Sequence, residues 1–509
     1  MLSVSNLSFA GIAVAALFAA AGPAACGGTR ESVPGTEDAA GTEDVPNVDS
    51  GILDPQVLPV AAFPYVFVDD DPAPDYLRFR AEGLSFEESL PHALDYLKKA
   101  VDKKLTASTA EVEYFQRQAA LLDALAVAST DPGAVEEEVV LGLVGDLMWI
   151  RDGWDTFLDP RILQYMQGTD FWLGNLETPI AASFEVPSKF TDYKNFNSAP
   201  GLVQSFLDAA GSSLFEALSF ANNHTLDMTD KGAEETLAFI EGQGILPGGA
   251  RVAPGDRFVT FEKGGILFGA TFATWGLNEP SLMETTDIEI DWVPGLAPEG
   301  KQLVDLTDVR NALDSMAADG VDFRIVFLHW GHEYEVYPSP LQVRVARELV
   351  AGGADLVVGS HPHVQQPIEV CFVDGGEAAL VDAGLDAAAL TSPDGCVIAS
   401  GGKPRKALVM YSLGNFASAM STFMCQAGML ARISVYRTGD GSVDFDIPSH
   451  AFVVNQVDFP PPDGTHRLLP VDAYFEQDCF DPDGACEKDV ESEWSLVRGI
   501  VHGPEETIP

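Results

Sequence analysis

The sequence predicts an α/β domain built in αββα layers over residues 139–437, with a helical region ahead of it over 61–138. Three observations predict it. From Val139 onward, short apolar runs of strand type alternate with stretches of helical period. Nearly every such run is followed at once by polar residues able to bind metal. Upstream, Leu77, Leu84, Leu90, Leu94 and Leu97 recur at spacings compatible with helices.

Residues 1–26 read as an export signal. Leu7 to Ala25 is an Ala-rich apolar run without a charge, short for a membrane span and of the length of a secretory signal. The small residues before Cys26 resemble a bacterial lipoprotein signal, in which Cys26 becomes the lipidated first residue. Ordinary cleavage near Ala25 is the alternative. Residues 27–60, rich in Gly, Pro, Asp and Glu, read as a flexible acidic linker. Residues 75–129 predict two or three helices. Strands are expected at Val139–Val144, Phe171–Leu173, Leu214–Phe220, Gly265–Ala273, Ile325–Leu328, Leu356–Val358 and Leu408–Tyr411. Helices are expected at 200–210, 229–242, 303–318 and 340–351. Residues 373–403 read as an inserted loop, and 438–509 as closing strands and an irregular acidic tail.

The formal charge of −48 excludes nucleic acid as a partner, because that binding rests on basic contacts to phosphates. An anionic substrate would need a local positive charge, which metal ions could supply. Of six cysteines, Cys371 and Cys396 could close the insertion, and Cys479 and Cys486 a small loop. Cys425 would be left over and buried.

The ends of the strand candidates carry the chemistry. Val139–Gly145 ends in Asp146, and Phe171–Gly174 in Asn175-Leu176-Glu177. Leu218–Ala221 ends in Asn222-Asn223-His224, with Asp227 beyond. Ile325–Leu328 ends in His329, followed by His332 and Glu333. Leu356–Gly359 leads to Ser360-His361-Pro362-His363, and Leu408–Ser412 to Asn415. Sites in α/β folds gather beyond the carboxyl ends of strands, where several loops converge. Each motif alone reads as a turn or a packed polar residue. Together they supply carboxylates to neutralise two cations and imidazoles to complete their shells, a mixture that suits Mn, Fe or Zn better than Ca.

The motifs GDLMW, GNLETP, SFANNHTLD, HWGHEY, GSHPHVQQP and YSLGNF stand in the order seen in bacterial CapA/PgsA-type capsule-synthesis proteins, which the region 139–437 resembles. That family belongs to the calcineurin-like metallophosphoesterase superfamily. The resemblance implies one or two divalent ions held by Asp146, Glu177, Asn223, His329, His361 and His363. It implies His224 as general acid or phosphate contact, with Asp227 holding it in one tautomer. Asn175, Asn222, His332, Glu333 and Asn415 are expected to contact substrate or to orient ligands. Many members of the superfamily begin with Asp-x-His; here Asp146 is followed by Leu147 and Met148, so one metal position lacks a nitrogen ligand.

Three functions follow as expectations: hydrolysis of a phosphoester at the cell envelope; a role in making, exporting or anchoring an anionic capsule polymer such as poly-γ-glutamate, with capsule-synthesis partner proteins; or metal-stabilised binding without turnover. A lipid at Cys26 would tie the protein to the membrane.

Overall fold

The computed structural model describes residues 52–53, 107–128, 135–148, 157–186, 196–296, 304–376, 395–420, 422–457, 466–477 and 488–508. The export signal with Cys26, the stretch 61–106, Cys479 and Cys486 lie outside the described residues. Within the expected linker, Ile52–Leu53 forms a short strand, β1, antiparallel to β10 (Val304–Asp305).

Two large sheets carry the fold. The first has nine strands. Its parallel half runs β2 (Val135–Leu147), β3 (Phe171–Leu176), β4 (Phe215–Ser219) and β5 (Leu246–Gly248). On the other side of β2, β17 (Ala427–Thr438), β19 (Ser449–Val457) and β20 (His466–Pro470) continue antiparallel. Two short strands, β16 (Asn415–Ala417) and β18 (Val443–Phe445), pair with β2 and β17. The sheet therefore does not stop at residue 437. The second sheet has seven strands. Its centre is parallel: β8 (Ile266–Thr274), β11 (Phe323–His329), β12 (Leu356–Ser360) and β15 (Arg405–Met410). Antiparallel β7 (Val259–Lys263) borders β8, and β13 (Ile368–Val373) borders β15, followed by β14 (Val397–Ile398). β6 (Ala250–Arg251) and β9 (Glu289–Ile290) form a separate pair.

Side-chain alternation makes the layers. Ile325 and Phe327, Leu356 and Val358, and Leu408 and Met410 meet Leu141, Leu143, Phe171 and Leu173 in a core between the sheets. Val326, Leu328, Val357 and Val409 face the other way, onto α4 (Thr307–Ala318) and α5 (Pro340–Ala351). On the far side, Trp172, Leu176 and Leu218 pack on α2 (Pro160–Gln167) and α3 (Thr229–Gly242). Strands buried on both faces read as continuous apolar runs, which is how they were visible in the sequence. The expected αββα layering is the observed one. Each fully buried Leu, Ile or Phe in it is worth about 1.5–3 kcal/mol relative to exposure.

The elements differ from expectation where local chemistry intervenes. The helix expected at 200–210 is one turn, Gly201–Gln204. Asp208 Oδ1 instead accepts from the amides of Ala210 and Ser212, making a turn with Gly211 at φ 83°. The helix expected from 303 begins at Thr307, because Val304–Asp305 is a strand and Asp305 Oδ1 accepts the Thr307 amide at 2.9 Å. β2 starts at Val135, inside the region expected to be helical. The tail is not irregular: Val471–Gln477 is helical, and α6 (Lys488–Ile500) sends Trp494, Val497 and Ile500 to the inner core. Cys371 and Cys396 form a disulfide at the base of the insertion, whose residues 377–394 lie outside the described set. Cys425 is buried.

The helix α1 (Thr109–Ala128) is fastened to the second sheet by a buried polar network. Arg347 donates to Glu369 Oε1 at 2.6 Å and to the Tyr114 hydroxyl at 2.8 Å. Tyr114 donates to Glu369 Oε1, and Tyr411 to Glu369 Oε2 at 2.6 Å. No described helix is long and apolar enough to cross a membrane.

Candidate metal centre

The carboxyl ends of β2, β3, β4, β8, β11 and β12 meet at one edge of the two sheets. Asp146 is next to last in β2, Asn175 lies in β3, and Glu177 follows it; Asn222, Asn223 and His224 follow β4. His329 ends β11, and His361 and His363 follow β12. All nine of these side chains are buried, as is Asn415 at the start of β16.

A bulge aims Asp146. Leu143 pairs with Leu173 but Asp146 with Asn175, so one extra residue sits on β2. Val144 and Leu147 consequently both reach the outer core, three residues apart. Asp146 between them turns to the site, where Oδ1 accepts from Asn175 Nδ2 at 2.8 Å and Oδ2 from the His361 amide at 3.1 Å. Gly145 permits this: a Cβ there would sit 1.8 Å from the Gly414 carbonyl oxygen.

The imidazoles surround the two carboxylates. His363 Nδ1 lies 3.3 Å from Asp146 Oδ2 and 3.0 Å from Asn415 Oδ1. His329 Nε2 lies 2.8 Å from Asn223 Oδ1 and 3.4 Å from Glu177 Oε1, and its Nδ1 lies 3.0 Å from Ser360 Oγ. Two sets of three side chains could each hold a cation, Asp146–Glu177–His329 and Glu177–His361–His363, with Glu177 common to both. Two glycine-like backbones stand among them, His361 at φ 97° and His363 at φ 58°. Such conformations cost of order 1–3 kcal/mol each and persist where the surroundings dictate them.

Glu177 decides whether the donors fit a metal. Both carboxylate oxygens are buried and accept no hydrogen bond from any described group. Burial, then the neighbouring Asp146 charge, pushes its carboxyl well above the usual range. Burial also acts on Asp146, but the hydrogen bond and charge of His363 outweigh it and hold that carboxyl low. Burial holds His329 down at about 3, so its imidazole is neutral, the form that ligates metal. Burial opposes the proton on His363, yet the hydrogen bond and charge of Asp146, with Glu333 and Asn415, raise it. A buried carboxylate that accepts no hydrogen bond, beside the neutral imidazole of His329, fits a divalent cation, which would supply the missing charge and bonds.

His224 stands beside this point. Its Nε2 lies 4.0 Å from Glu177 Oε1, and its Nδ1 2.7 Å from Asp227 Oδ2. Asn222 braces the turn: its Oδ1 accepts the His224 amide at 3.1 Å, and its Nδ2 donates to the Leu176 carbonyl at 2.8 Å. His332 and Glu333 are buried near the centre but belong to neither three-residue set. Their loop is held where the Tyr334 amide donates to the Pro362 carbonyl at 2.8 Å.

Sequence reasoning assigned no role to four neighbours. Phe196 stacks on His224 with centroids 4.1 Å apart, Trp275 lies 5.7 Å from His361, Ser360 meets His329, and Asn278 touches both Asn223 and His224. A signal existed for Asn278. β8 was the one long strand candidate without an assigned ligand after it, and Asn278 follows it closely.

The chain is 27% identical over 248 residues to the "Capsule biosynthesis protein CapA" of Bacillus anthracis, covering 46% of this chain and 56% of that one. It is 27% identical over 220 residues to the "PGA biosynthesis protein CapA" of Bacillus subtilis, covering 41% and 52%. The chain thus spans about half the length of the curated relatives it matches. Among solved structures, the NAD nucleotidase of Haemophilus influenzae aligns loosely, with a TM-score of 0.34 and 10% identity over 71% of this chain and 60% of that one. A 5′-nucleotidase precursor of Thermus thermophilus aligns with a TM-score of 0.32 and 11% identity over 71% and 58%. The model of the bacterial capsule synthesis protein family PGA_cap matches residues 140–420, more than half of the sequence, and the chain belongs to that family.

Proposed function

We propose that this chain is a metal-dependent phosphoesterase-type protein that acts at the cell envelope in making, exporting or anchoring an anionic capsule polymer such as poly-γ-glutamate. The observation that carries the chemical half is Glu177, a buried carboxylate shared by two sets of ligating side chains and bonded to neither. Family membership supports the capsule half.

Asp146, Glu177, Asn223, His329, His361 and His363 would hold one or two ions of the Mn, Fe or Zn kind. When bound, such ions polarise a phosphoryl oxygen and acidify a water. The chain's own residues do the rest. His224 presents Nε2 toward Glu177 while Asp227 holds Nδ1, so a proton on Nε2 is placed for a leaving oxygen. Phe196 covers one face of the ring and keeps water from it. In a chain of charge −48, cations at this edge would also draw in an anionic substrate. Capsule-synthesis proteins, and the membrane through a lipid at Cys26, complete the proposed set of partners, with no nucleic acid among them.

A second reading, metal-stabilised binding without turnover, is favoured by one residue. Met148 stands where the superfamily's Asp-x-His places its histidine, and its thioether accepts from Ser418 Oγ at 3.6 Å. Metal analysis of the purified protein, with assays on bis-p-nitrophenyl phosphate and on poly-γ-glutamate, tests both readings. Bound transition metal with hydrolysis is expected for wild type, and loss of the metal in His361→Ala. A protein free of transition metal overturns the proposal. A loaded protein that cleaves neither substrate leaves the binder.

A further inference from the structure

We infer that Asn278 is a positioning residue that aims Asn223 at the metal and couples it to His224. This rests on the reading of Asn223 as a ligand. An asparagine can ligate only through its carbonyl oxygen, so the amide must be prevented from presenting its NH₂ instead. Asn278 does this from the loop after β8. Its Oδ1 accepts from Asn223 Nδ2 at 3.0 Å, which turns Asn223 Oδ1 the other way, to 2.8 Å from His329 Nε2. Its backbone amide donates to the Asn223 carbonyl at 3.0 Å, fixing the main chain of the same residue. Its amide nitrogen lies 3.4 Å from both ring nitrogens of His224. One side chain therefore spans the ligand and the acid from a different sheet. Asn223 and His224 follow β4 of the first sheet, whereas Asn278 follows β8 of the second, so the contact also registers the two sheets at the site.

Only an acceptor at residue 278 is needed to hold the Asn223 amide. Asn278 is half-buried, and Leu keeps the γ-branched shape of Asn while removing the acceptor. Outer partners of ligands typically carry 10–100-fold in metal affinity. The test measures Mn²⁺ and Zn²⁺ affinity of the full chain by chelator competition, together with the melting temperature of each metal-free variant. Asn278→Leu is expected to bind about 10–100-fold more weakly than wild type, with the metal-free melting temperature unchanged. Asn278→Asp, which keeps the acceptor, is expected to bind like wild type or tighter. Wild-type affinity in Asn278→Leu overturns the inference, and so does an equal loss in Asn278→Asp. If wild type itself holds neither metal, the reading of Asn223 as a ligand fails first, and that arm identifies the failure.

Discussion

Asp227 Oδ2 lies 2.7 Å from His224 Nδ1 and also accepts the Phe196 amide at 2.9 Å, so one carboxylate oxygen fixes both the ring and the residue stacked on it. The ring is thereby oriented with Nε2 toward Glu177. His224→Ala should spare most bound metal and lower phosphodiester hydrolysis about 10²–10⁴-fold, the usual weight of an acid–base group. Asp227→Asn should cost less, about 10–100-fold, because it disturbs orientation while keeping the imidazole. Steady-state rates and metal content in the same samples check both. A rate unchanged in His224→Ala would remove its role as acid.

Gly145 touches the Gly414 carbonyl so closely that no side chain fits. The clash is with backbone, which cannot swing away as a side-chain tip can. Moving it would displace Asp146, whose amide donates to that same carbonyl at 3.1 Å. Gly145→Ala should lower the melting temperature and the metal content together. Calorimetry with metal analysis checks this; a variant as stable and as loaded as wild type would contradict the close approach.

The Arg347–Glu369 pair is almost wholly buried and has two tyrosine hydroxyls as further partners. Removing one charge leaves the other without compensation. Arg347→Met should destabilise by about 3–5 kcal/mol. Arg347→Met with Glu369→Gln should recover much of that loss, because glutamine keeps an acceptor for the tyrosines without a buried charge. Urea unfolding of the three proteins gives the comparison. Additive losses would mean that the charges do not interact.

His450 in β19 is buried against the C-terminal segment, where its amide donates to the Pro504 carbonyl at 2.9 Å and its carbonyl accepts the Glu506 amide at 2.7 Å. Burial lowers its pKa to about 4, and the neighbouring His502 adds to the effect. An unfolded histidine titrates near ~6.5. Between these values the unfolded chain binds a proton that the folded chain refuses, so stability falls as pH drops through this window. The loss from this group should reach at most about 3 kcal/mol. His450→Gln should flatten the pH dependence of urea midpoints between pH ~6.5 and ~4. The same slope in both proteins would assign the acid sensitivity to other groups.

Much of this fold could be read from local pattern. Helices at 229–242 and 340–351 have the bounds that their periodicity implies. Ser339 and Gln342 form the capping box that starts the second of them. The apolar runs ending in Asp146, Glu177, His329 and His361 are strands whose ends converge, because parallel strands buried on both faces put all their carboxyl ends on one side. Residue types at the centre follow from the same reading.

Other features depended on contacts distant in sequence. The Leu143–Asp146 bulge exists only through pairing with β3. The helical tail gains its stability from the core that Trp494 and Val497 enter. Asn278 and Phe196 acquire meaning only where β8 and the 196 segment meet the Asn223–His224 turn. Local period and capping depend on near neighbours along the chain and are therefore written in the sequence. Sheet register, amide orientation and the stacking of one loop on another depend on how whole elements pack, and tertiary structure decided those.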